Sequence, residues 1–278
     1  MTAAPAEAAE CKTGKNGKGD PRTIAELTQT VSASRLTTWQ RCRLQFFFRY
    51  VAGIAKAPTP SLHAGTTVHT VLQQWNLARW RGTPLNPHDL KEIFSKAWAI
   101  WQEGETINWK GEEEKCKSAT WNVLELYFRD TPIAAGEKPE AVEVGVEADL
   151  SKRGLPTLVG VIDLVRAGGR IVDFKTSARS PTSEMLAHTA ETQTTSYGLL
   201  YREATGLKEH GIELHHLIKT KTPKIVINQF APITEAQITR LFHVIEAYVE
   251  GLNRGDFIPS PGLQCASCEF FDECRMWR

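Results

Sequence analysis

The sequence lacks any apolar run long enough to cross a membrane, and it lacks an apolar signal segment at its start. The first twenty residues instead carry charges at Glu7, Glu10, Lys12, Lys15 and Lys18. A membrane-spanning helix needs about 20 consecutive apolar residues, and a secretory signal needs an apolar core. These absences predict a soluble, cytoplasmic protein with no membrane partner.

Neither sign of charge dominates, because 33 Lys and Arg stand against 32 Asp and Glu and leave a formal net charge of +1. This balance excludes a polybasic coat, so any nucleic-acid surface must be local. Cysteine is also scarce: six in 278 residues are too few for a disulfide scaffold. We therefore expect reduced thiolates, with binding of a metal or a cluster as their leading use.

Two regions follow from the chain's patterning. Residues 1–21 are rich in Ala, Gly, Lys and Pro without hydrophobic periodicity, which predicts a mobile arm, and its Cys11 is left unassigned. Residues 22–278 have no repeat and no dividing linker, and the hydrophobic content of 41% suffices for a core, so we expect one domain.

The predicted helices are 34–42, 65–80, 90–101, 116–128, 182–204 and 234–252. The predicted strands are three antiparallel ones between 140 and 175, then 214–220 and 224–229. Strands set among helices indicate an α/β class.

A β-hairpin over 160–176 is the main chemical clue. A three-residue loop at 167–169 places Asp163 opposite Asp173, with Lys175 on the same face. The other face then carries two apolar pairs, Ile162 with Phe174 and Leu164 with Val172. Two converging carboxylates suit Mg²⁺ or Mn²⁺, and a nearby ammonium group can hold or deprotonate an attacking water, as phosphodiester hydrolysis requires. Taken alone, a D-x-K triplet more often marks ordinary surface ion pairs.

Three further polar residues have two interpretations each. Gln193 and Tyr197 stand four residues apart, so one helix face could present both to a substrate backbone. A half-buried tyrosine beside a solvated glutamine fits the same spacing. His69 lies on the helix over 65–80 and, alone, is more often a surface or core histidine than a ligand.

Four cysteines predict a metal-binding clamp between distant parts of the chain. Cys42 lies in an aromatic helix, and Cys265, Cys268 and Cys274 follow one another closely in the last 19 residues, 260–278. Thiolates at this spacing suit either tetrahedral Zn²⁺ or a four-iron cluster, and the spacing does not distinguish them. Four buried thiols without metal are the alternative, and Cys116 is expected to be packed.

Two features leave nucleic-acid contacts open. Lys219, Lys221 and Lys224 could contact phosphates or could form a solvated charged edge. Four tryptophans in the predicted helices 65–80 and 90–101 offer base-stacking surfaces if exposed: Trp75, Trp80, Trp98 and Trp101. Their helical spacing favours burial of most of them.

In their order, these segments resemble the RecB/AddB-like branch of the PD-(D/E)XK nuclease superfamily, which includes the iron–sulfur exonucleases and the CRISPR-adaptation nucleases. The resemblance runs from about Ser34 to Cys274. It rests on residues 34–42, 65–69, 160–163, 173–175 and 193–197 and on the terminal cysteines. One departure is Arg43, where these families often have proline after the first cysteine.

The resemblance implies a restriction-endonuclease-like α/β core in which helices flank a central mixed sheet. A helical insertion at about 75–138 would cover the DNA path, and an iron–sulfur clamp would join the N- and C-terminal regions. The implied metal ligands are His69, Asp163 and Asp173. Lys175 would be the catalytic lysine, with Gln193 and Tyr197 as accessory active-site residues. The implied ligands of a four-iron cluster are Cys42, Cys265, Cys268 and Cys274.

The leading functional hypothesis is a Mg²⁺- or Mn²⁺-dependent deoxyribonuclease, an exonuclease acting on single-stranded or frayed DNA ends. Its setting would be DNA repair, recombination or CRISPR spacer processing, with a helicase or CRISPR integrase as a possible partner. The alternative is a noncatalytic iron–sulfur module that binds DNA ends within such a complex. A zinc-stabilised interaction protein with an incidental D-x-K triplet is a third hypothesis.

Overall fold

The computed structural model describes residues 21–100, 107–134 and 136–277. The predicted arm, apart from Pro21, and Trp101 therefore lie outside the described residues. The described helices are α1 Ile24–Gln29, α2 Ala33–Arg41, α3 Arg43–Phe46, α4 Pro60–Arg81, α5 Pro87–Ile100, α6 Glu113–Asp130, α7 Ser183–Thr189, α8 Glu191–Thr205, α9 Glu235–Arg254 and α10 Phe271–Met276. The strands are β1 Thr30–Val31, β2 Ala141–Ala148, β3 Thr157–Arg166, β4 Arg170–Ser177, β5 Gly211–Ile218 and β6 Lys224–Phe230. A π-helix spans Phe47–Val51, and short 3₁₀ turns span Ser151–Arg153 and Leu263–Ser267.

The strands form one mixed sheet, which confirms the predicted α/β class. The main path is β1-β3-β4-β5-β6, with β2 paired to β3. The pairs β1–β3 and β4–β5 are parallel and the others are antiparallel. None of the described helices has the length and apolarity needed to cross a bilayer.

Helices cover both faces of this sheet, and each face has its own apolar core. On one face, Leu199 of α8 and Ile245 of α9 pack with Ile171 and Ile212 of the sheet. On the other, α4, α5 and α6 pack over Leu164, Val172, Phe174 and Leu217, with Val68, Trp98 and Val123 among the helical contributions. The helices of the predicted insertion therefore lie against the sheet through α4 and α6.

The β3–β4 hairpin forms as predicted near its loop and separates beyond it. The pairs run Arg166–Arg170, Val165–Ile171 and Leu164–Val172, around the predicted three-residue loop. Gly168 and Gly169 have φ values of 81° and 72°, which glycine adopts without strain. The ladder ends there, so the predicted pairing of Asp163 with Asp173 is not formed. The predicted Ile162–Phe174 pair is wrong, because the Phe174 N–H donates instead to Asp163 Oδ2 at 2.9 Å.

This separation gives the sheet a fork. A strand has two hydrogen-bonding edges, and β2 occupies one edge of β3 along most of its length. The other edge pairs with β1 at Leu158 and with β4 only from Leu164 onward. The residues between, including Asp163, face a gap between β3 and β4, which we call the fork.

Several predicted boundaries are wrong for local reasons. The cap of α2 is Ser32, whose Oγ accepts from Arg35 N, rather than Ser34. The same helix ends at Cys42, whose φ of −165° is extended. The start of α4 is Pro60, which follows the capping Thr59, so His69 lies in the third turn and not near the start. The helix predicted over 182–204 is two helices, which meet at Ala190.

Candidate active site

Asp173 is the most buried of the acidic residues at the fork. Its side chain is buried, and its residue is 2% exposed. Gln193 Nε2 and Tyr197 Oη both donate to Asp173 Oδ1 at 3.1 Å, and Gln193 Nε2 also lies 3.0 Å from Tyr197 Oη. Lys175 Nζ lies 2.8 Å from Asp173 Oδ2 and forms an ion pair with it. Each oxygen of the buried carboxylate thus has a polar partner.

Burial raises the pKa of Asp173, and the charge of Asp163 raises it further, while Lys175 opposes the shift. The pKa of Tyr197 is also raised, by burial first and then by the charges of Asp173 and Asp163. Tyr197 is therefore a neutral phenol, and its O–H group donates a hydrogen bond to Asp173 Oδ1. Asp173 therefore has one charged partner, Lys175, and two neutral hydrogen-bond donors, Gln193 and Tyr197.

Gly160 lies where α8 approaches the sheet. A Cβ atom at this position would lie 2.7 Å from Leu200 Cδ1 and 3.8 Å from Tyr197 Cε1. Real Cβ contacts are not as short as 2.7 Å, so a larger residue would require the Leu200 side chain to shift.

On the other side of the fork, α4 brings His69 to Asp163. His69 Nδ1 lies 3.4 Å from Asp163 Oδ2. Burial lowers the pKa of His69, but the ion pair with Asp163 and the charges of Asp173 and Glu143 outweigh it and raise the pKa to about 9. Without a bound cation, His69 is thus the positive partner of Asp163.

Glu143 is a site residue that our sequence analysis did not select. Ligand atoms of His69, Glu143 and Asp163 all lie within 4.8 Å of one another. Burial, followed by the charge of Asp163, raises the pKa of Glu143 to about 7. A signal existed in the sequence: every β2–β3 pair keeps one register, such as Val142–Leu164 and Val144–Ile162, and that register puts Glu143 opposite Asp163.

The backbone of Glu143 is also unusual. Its φ is 48°, in the left-handed region that residues other than glycine rarely adopt within a strand. Such strain persists only where the surroundings impose it, and it is concentrated at functional sites. Here it coincides with a carboxylate that faces two other acidic groups.

The donor set at the fork fits a divalent cation. Carboxylate oxygens and one imidazole nitrogen are ligands that Mn²⁺ accepts, and carboxylates suit Mg²⁺. Metal ligands must be deprotonated, so a cation would displace protons from His69 and Glu143. The structure brings together all six residues predicted for this site, while their individual roles remain predictions: His69, Asp163, Asp173, Lys175, Gln193 and Tyr197.

The four predicted cluster ligands also converge, next to the C-terminal end of α2, which Cys42 caps. Cys42, Cys265, Cys268 and Cys274 line one cavity, together with apolar side chains such as Phe48 and Phe270. Burial raises the pKa of the Cys274 thiol, and the three other cysteines raise it further. Cys116 lies apart and packs with the α4–α6 side of the core, as predicted.

Comparisons with known proteins give a family match and similar solved structures. A family model described as the PD-(D/E)XK nuclease superfamily matches residues 30–275. Among solved structures, a candidate exonuclease from Eubacterium rectale is similar at a TM-score of 0.53 and 15% identity, covering 92% of this chain and 91% of that one. The structure of SSO0001 is similar at a TM-score of 0.41 and 14% identity, covering 89% and 86%. No curated protein matches the sequence.

We expect Glu143→Gln to weaken Mn²⁺ binding by roughly 10-fold or more while leaving the fold intact, because one charged ligand of the cation is lost. Calorimetric titration of the purified protein with Mn²⁺ measures this. Glu147→Gln is the matched control, since Glu147 is an exposed carboxylate on the same strand. Equal Mn²⁺ affinity in both variants would exclude Glu143 as a ligand.

Proposed function

This chain belongs to the PD-(D/E)XK nuclease superfamily, and from that membership and the geometry at the fork we propose that it is a divalent-metal-dependent deoxyribonuclease acting on single-stranded or frayed DNA ends. The resemblance to RecB/AddB-like nucleases extends the proposal to DNA repair, recombination or CRISPR spacer processing, with a helicase or integrase as partner. The Eubacterium rectale protein shares the fold, and its description as a candidate exonuclease agrees with action at ends.

One observation carries the proposal: a buried carboxylate, Asp173, lies beside Lys175 and faces a second acidic group, Asp163, that is paired with His69. Ordinary surface ion pairs, the other interpretation of the D-x-K triplet, are exposed and need no such surroundings. Bringing three mutually repelling acids together, one of them buried, is costly unless protonation or a cation compensates it.

In this proposal, His69, Asp163 and Asp173 hold Mg²⁺ or Mn²⁺, with Glu143 as an additional ligand. A bound cation supplies Lewis acidity to the scissile phosphate and lowers the pKa of an attacking water. Lys175 orients that water and stabilises negative charge as the phosphate is attacked. Gln193 and Tyr197 keep Asp173 in position through their hydrogen bonds to Oδ1.

We also propose a four-iron cluster at Cys42, Cys265, Cys268 and Cys274, with a structural role. Support comes from the convergence of four thiols on one largely apolar cavity and from the chain separation that they bridge. Iron–sulfur clusters are held by four thiolates, and apolar surroundings limit solvent access to them. A tetrahedral zinc site is the competing occupant.

The proposed preference for single strands rests on the net charge of the chain and on exposed tryptophan surface. A formal net charge of +1 does not favour wrapping of long duplex DNA. Of the tryptophans proposed for base stacking, Trp98 is buried in the core, Trp75 contacts Phe128, and Trp80 is 40% exposed. Trp80 is therefore the most exposed of these three, although Lys138 Nζ lies over its ring, 5.8 Å from the centroid.

We predict that Asp173→Asn lowers DNA cleavage on the order of 100-fold or more while sparing most DNA binding, since the cation loses a ligand and phosphate contacts elsewhere remain. Lys175→Ala should suppress turnover and retain Mn²⁺ binding. Cleavage of an end-labelled single strand and Mn²⁺ titration measure the two effects. Asp130→Asn, at an exposed helix end, is the control. Full cleavage by a folded Asp173→Asn protein would refute the assignment.

We predict that the protein degrades linear single-stranded DNA faster than blunt duplex and leaves covalently closed single-stranded circles intact. The three substrates are compared in Mg²⁺ and in Mn²⁺. Rapid cutting of circles would rule out strict end dependence. Faster digestion of duplex would rule out the strand preference. DNA binding without any cleavage in either metal would favour the noncatalytic end-binding alternative.

We predict that replacing any one of the four clustered cysteines with serine removes the bound metal and impairs folding, because the ligand set ties distant parts of the chain together. Cys11→Ser, outside the described residues, should be tolerated. Iron and acid-labile sulfide are measured in anaerobically prepared protein. Stoichiometric zinc without iron in that preparation would replace the cluster by a zinc clamp.

A further inference from the structure

The turn between β5 and β6 carries positive charge that no described carboxylate neutralises. Lys219, Lys221 and Lys224 lie within six residues, and the sequence has no acidic residue between Glu213 and Glu235. Among the described side chains, none of the three lysines has an ion-pair partner. Some exposed cations elsewhere are paired, as Lys96 is with Glu92, Lys115 with Glu112 and Arg240 with Glu191, whereas other exposed lysines, such as Lys152 and Lys208, do not lie in a lysine cluster.

Sheet topology brings this turn to the candidate active site. Because β4 and β5 are parallel, their carboxyl ends meet at one edge of the sheet, where Lys175 is paired with His216 and Ser177 with Ile218. Lys219 N then donates to Ser177 O at 2.8 Å. The turn therefore begins at Lys219, three residues beyond His216, the partner of Lys175.

A fourth cation lies at the same edge. Arg179 follows β4 by two residues, and Ser177 Oγ donates to Arg179 O at 2.7 Å, which bends the chain at the end of the strand that Lys219 N also contacts through Ser177 O. Arg179 is exposed, and within the described part of the chain it has no carboxylate partner either. We call Arg179, Lys219, Lys221 and Lys224 the basic edge.

The members of the basic edge differ in accessibility. Lys221 and Lys224 are exposed, whereas Lys219 is half-buried. Burial lowers the pKa of Lys219, and nearby Cys116 partly offsets that shift. Lys221 and Lys224 are thus the two lysines whose ammonium groups are free to meet a ligand.

We infer that the basic edge binds backbone phosphates of the DNA strand whose scissile phosphate lies at the fork, an inference that rests on the proposed nuclease function. Lys224 pairs with Ile218, two residues beyond the level of Lys175 and two strands away from it. At about 3.3 Å per residue and about 4.8 Å per strand spacing, the two backbones are on the order of 12 Å apart, which is beyond the phosphate of a single nucleotide at the fork. The contacts fix the path of the strand without reading its sequence, since lysine meets phosphate as a point charge.

The test compares Lys221→Ala/Lys224→Ala with Lys152→Ala/Lys208→Ala, in which two exposed lysines are removed elsewhere. Lys208 precedes β5 at the end of the strand away from the turn. Binding of a single-stranded oligonucleotide is measured against salt concentration. Removing two phosphate contacts should reduce the slope of log K against log salt by about 1.4, because each contact to a single strand contributes about 0.7.

Cleavage kinetics supply a second readout. The basic-edge variant should raise KM for a long single strand and keep kcat, and it should hydrolyse thymidine 5′-(p-nitrophenyl phosphate), which is too short to reach the turn, as the wild type does. An unchanged binding slope, or an equal loss in the control variant, would overturn the inference. If the wild type binds DNA but cleaves nothing, the nuclease proposal fails, while the binding slope still decides the role of the basic edge.

Discussion

Mutual repulsion among three carboxylates is the constraint on which the rest of this structure depends. Glu143, Asp163 and Asp173 face the fork, and the charge of Asp163 raises the pKa of both of the others. Carboxylate oxygens of Glu143 and Asp163 lie within 4.8 Å of each other, and two unit charges at about that separation repel by roughly 3–4 kcal/mol at an effective dielectric constant of about 20. Protonation relieves that cost, and so does a bound cation. The strained backbone of Glu143 indicates that the fold maintains this arrangement at a cost to local conformation.

The fold keeps these groups together by supporting the fork from both faces of the sheet. On one face α4 supplies His69, and on the other α8 supplies Gln193 and Tyr197. Each helix is anchored in a separate apolar core. The site therefore belongs to neither core alone, and its geometry depends on how both helices pack against β3 and β4. At Gly160 of β3, a Cβ atom would come within 2.7 Å of the Leu200 side chain of α8, so the two elements are closely packed there.

The sequence predicts the site well where patterns are local. Alternation of apolar and polar residues around a glycine-rich loop determined the β3–β4 register, and family resemblance grouped the distant His69 and Tyr197 with it. Glu143 was missed because recognising it needs the β2–β3 register as well. The fork could not be predicted, because the pairing pattern of an antiparallel hairpin predicts that its hydrogen bonds continue along both strands. Nothing in that pattern indicates that the Phe174 N–H donates to the Asp163 side chain and not to a main-chain carbonyl of β3. The two-residue strand β1 is too short for any periodic signal.

Anomalous X-ray scattering from crystals grown with Mn²⁺ tests the central claim most directly, because it locates the cation without relying on activity. The account predicts an anomalous peak at the fork, within coordination distance of His69, Asp163 and Asp173 and including Glu143 among its ligands. A fork free of Mn²⁺ at concentrations that support cleavage, or a cation bound only elsewhere on the protein, would contradict it.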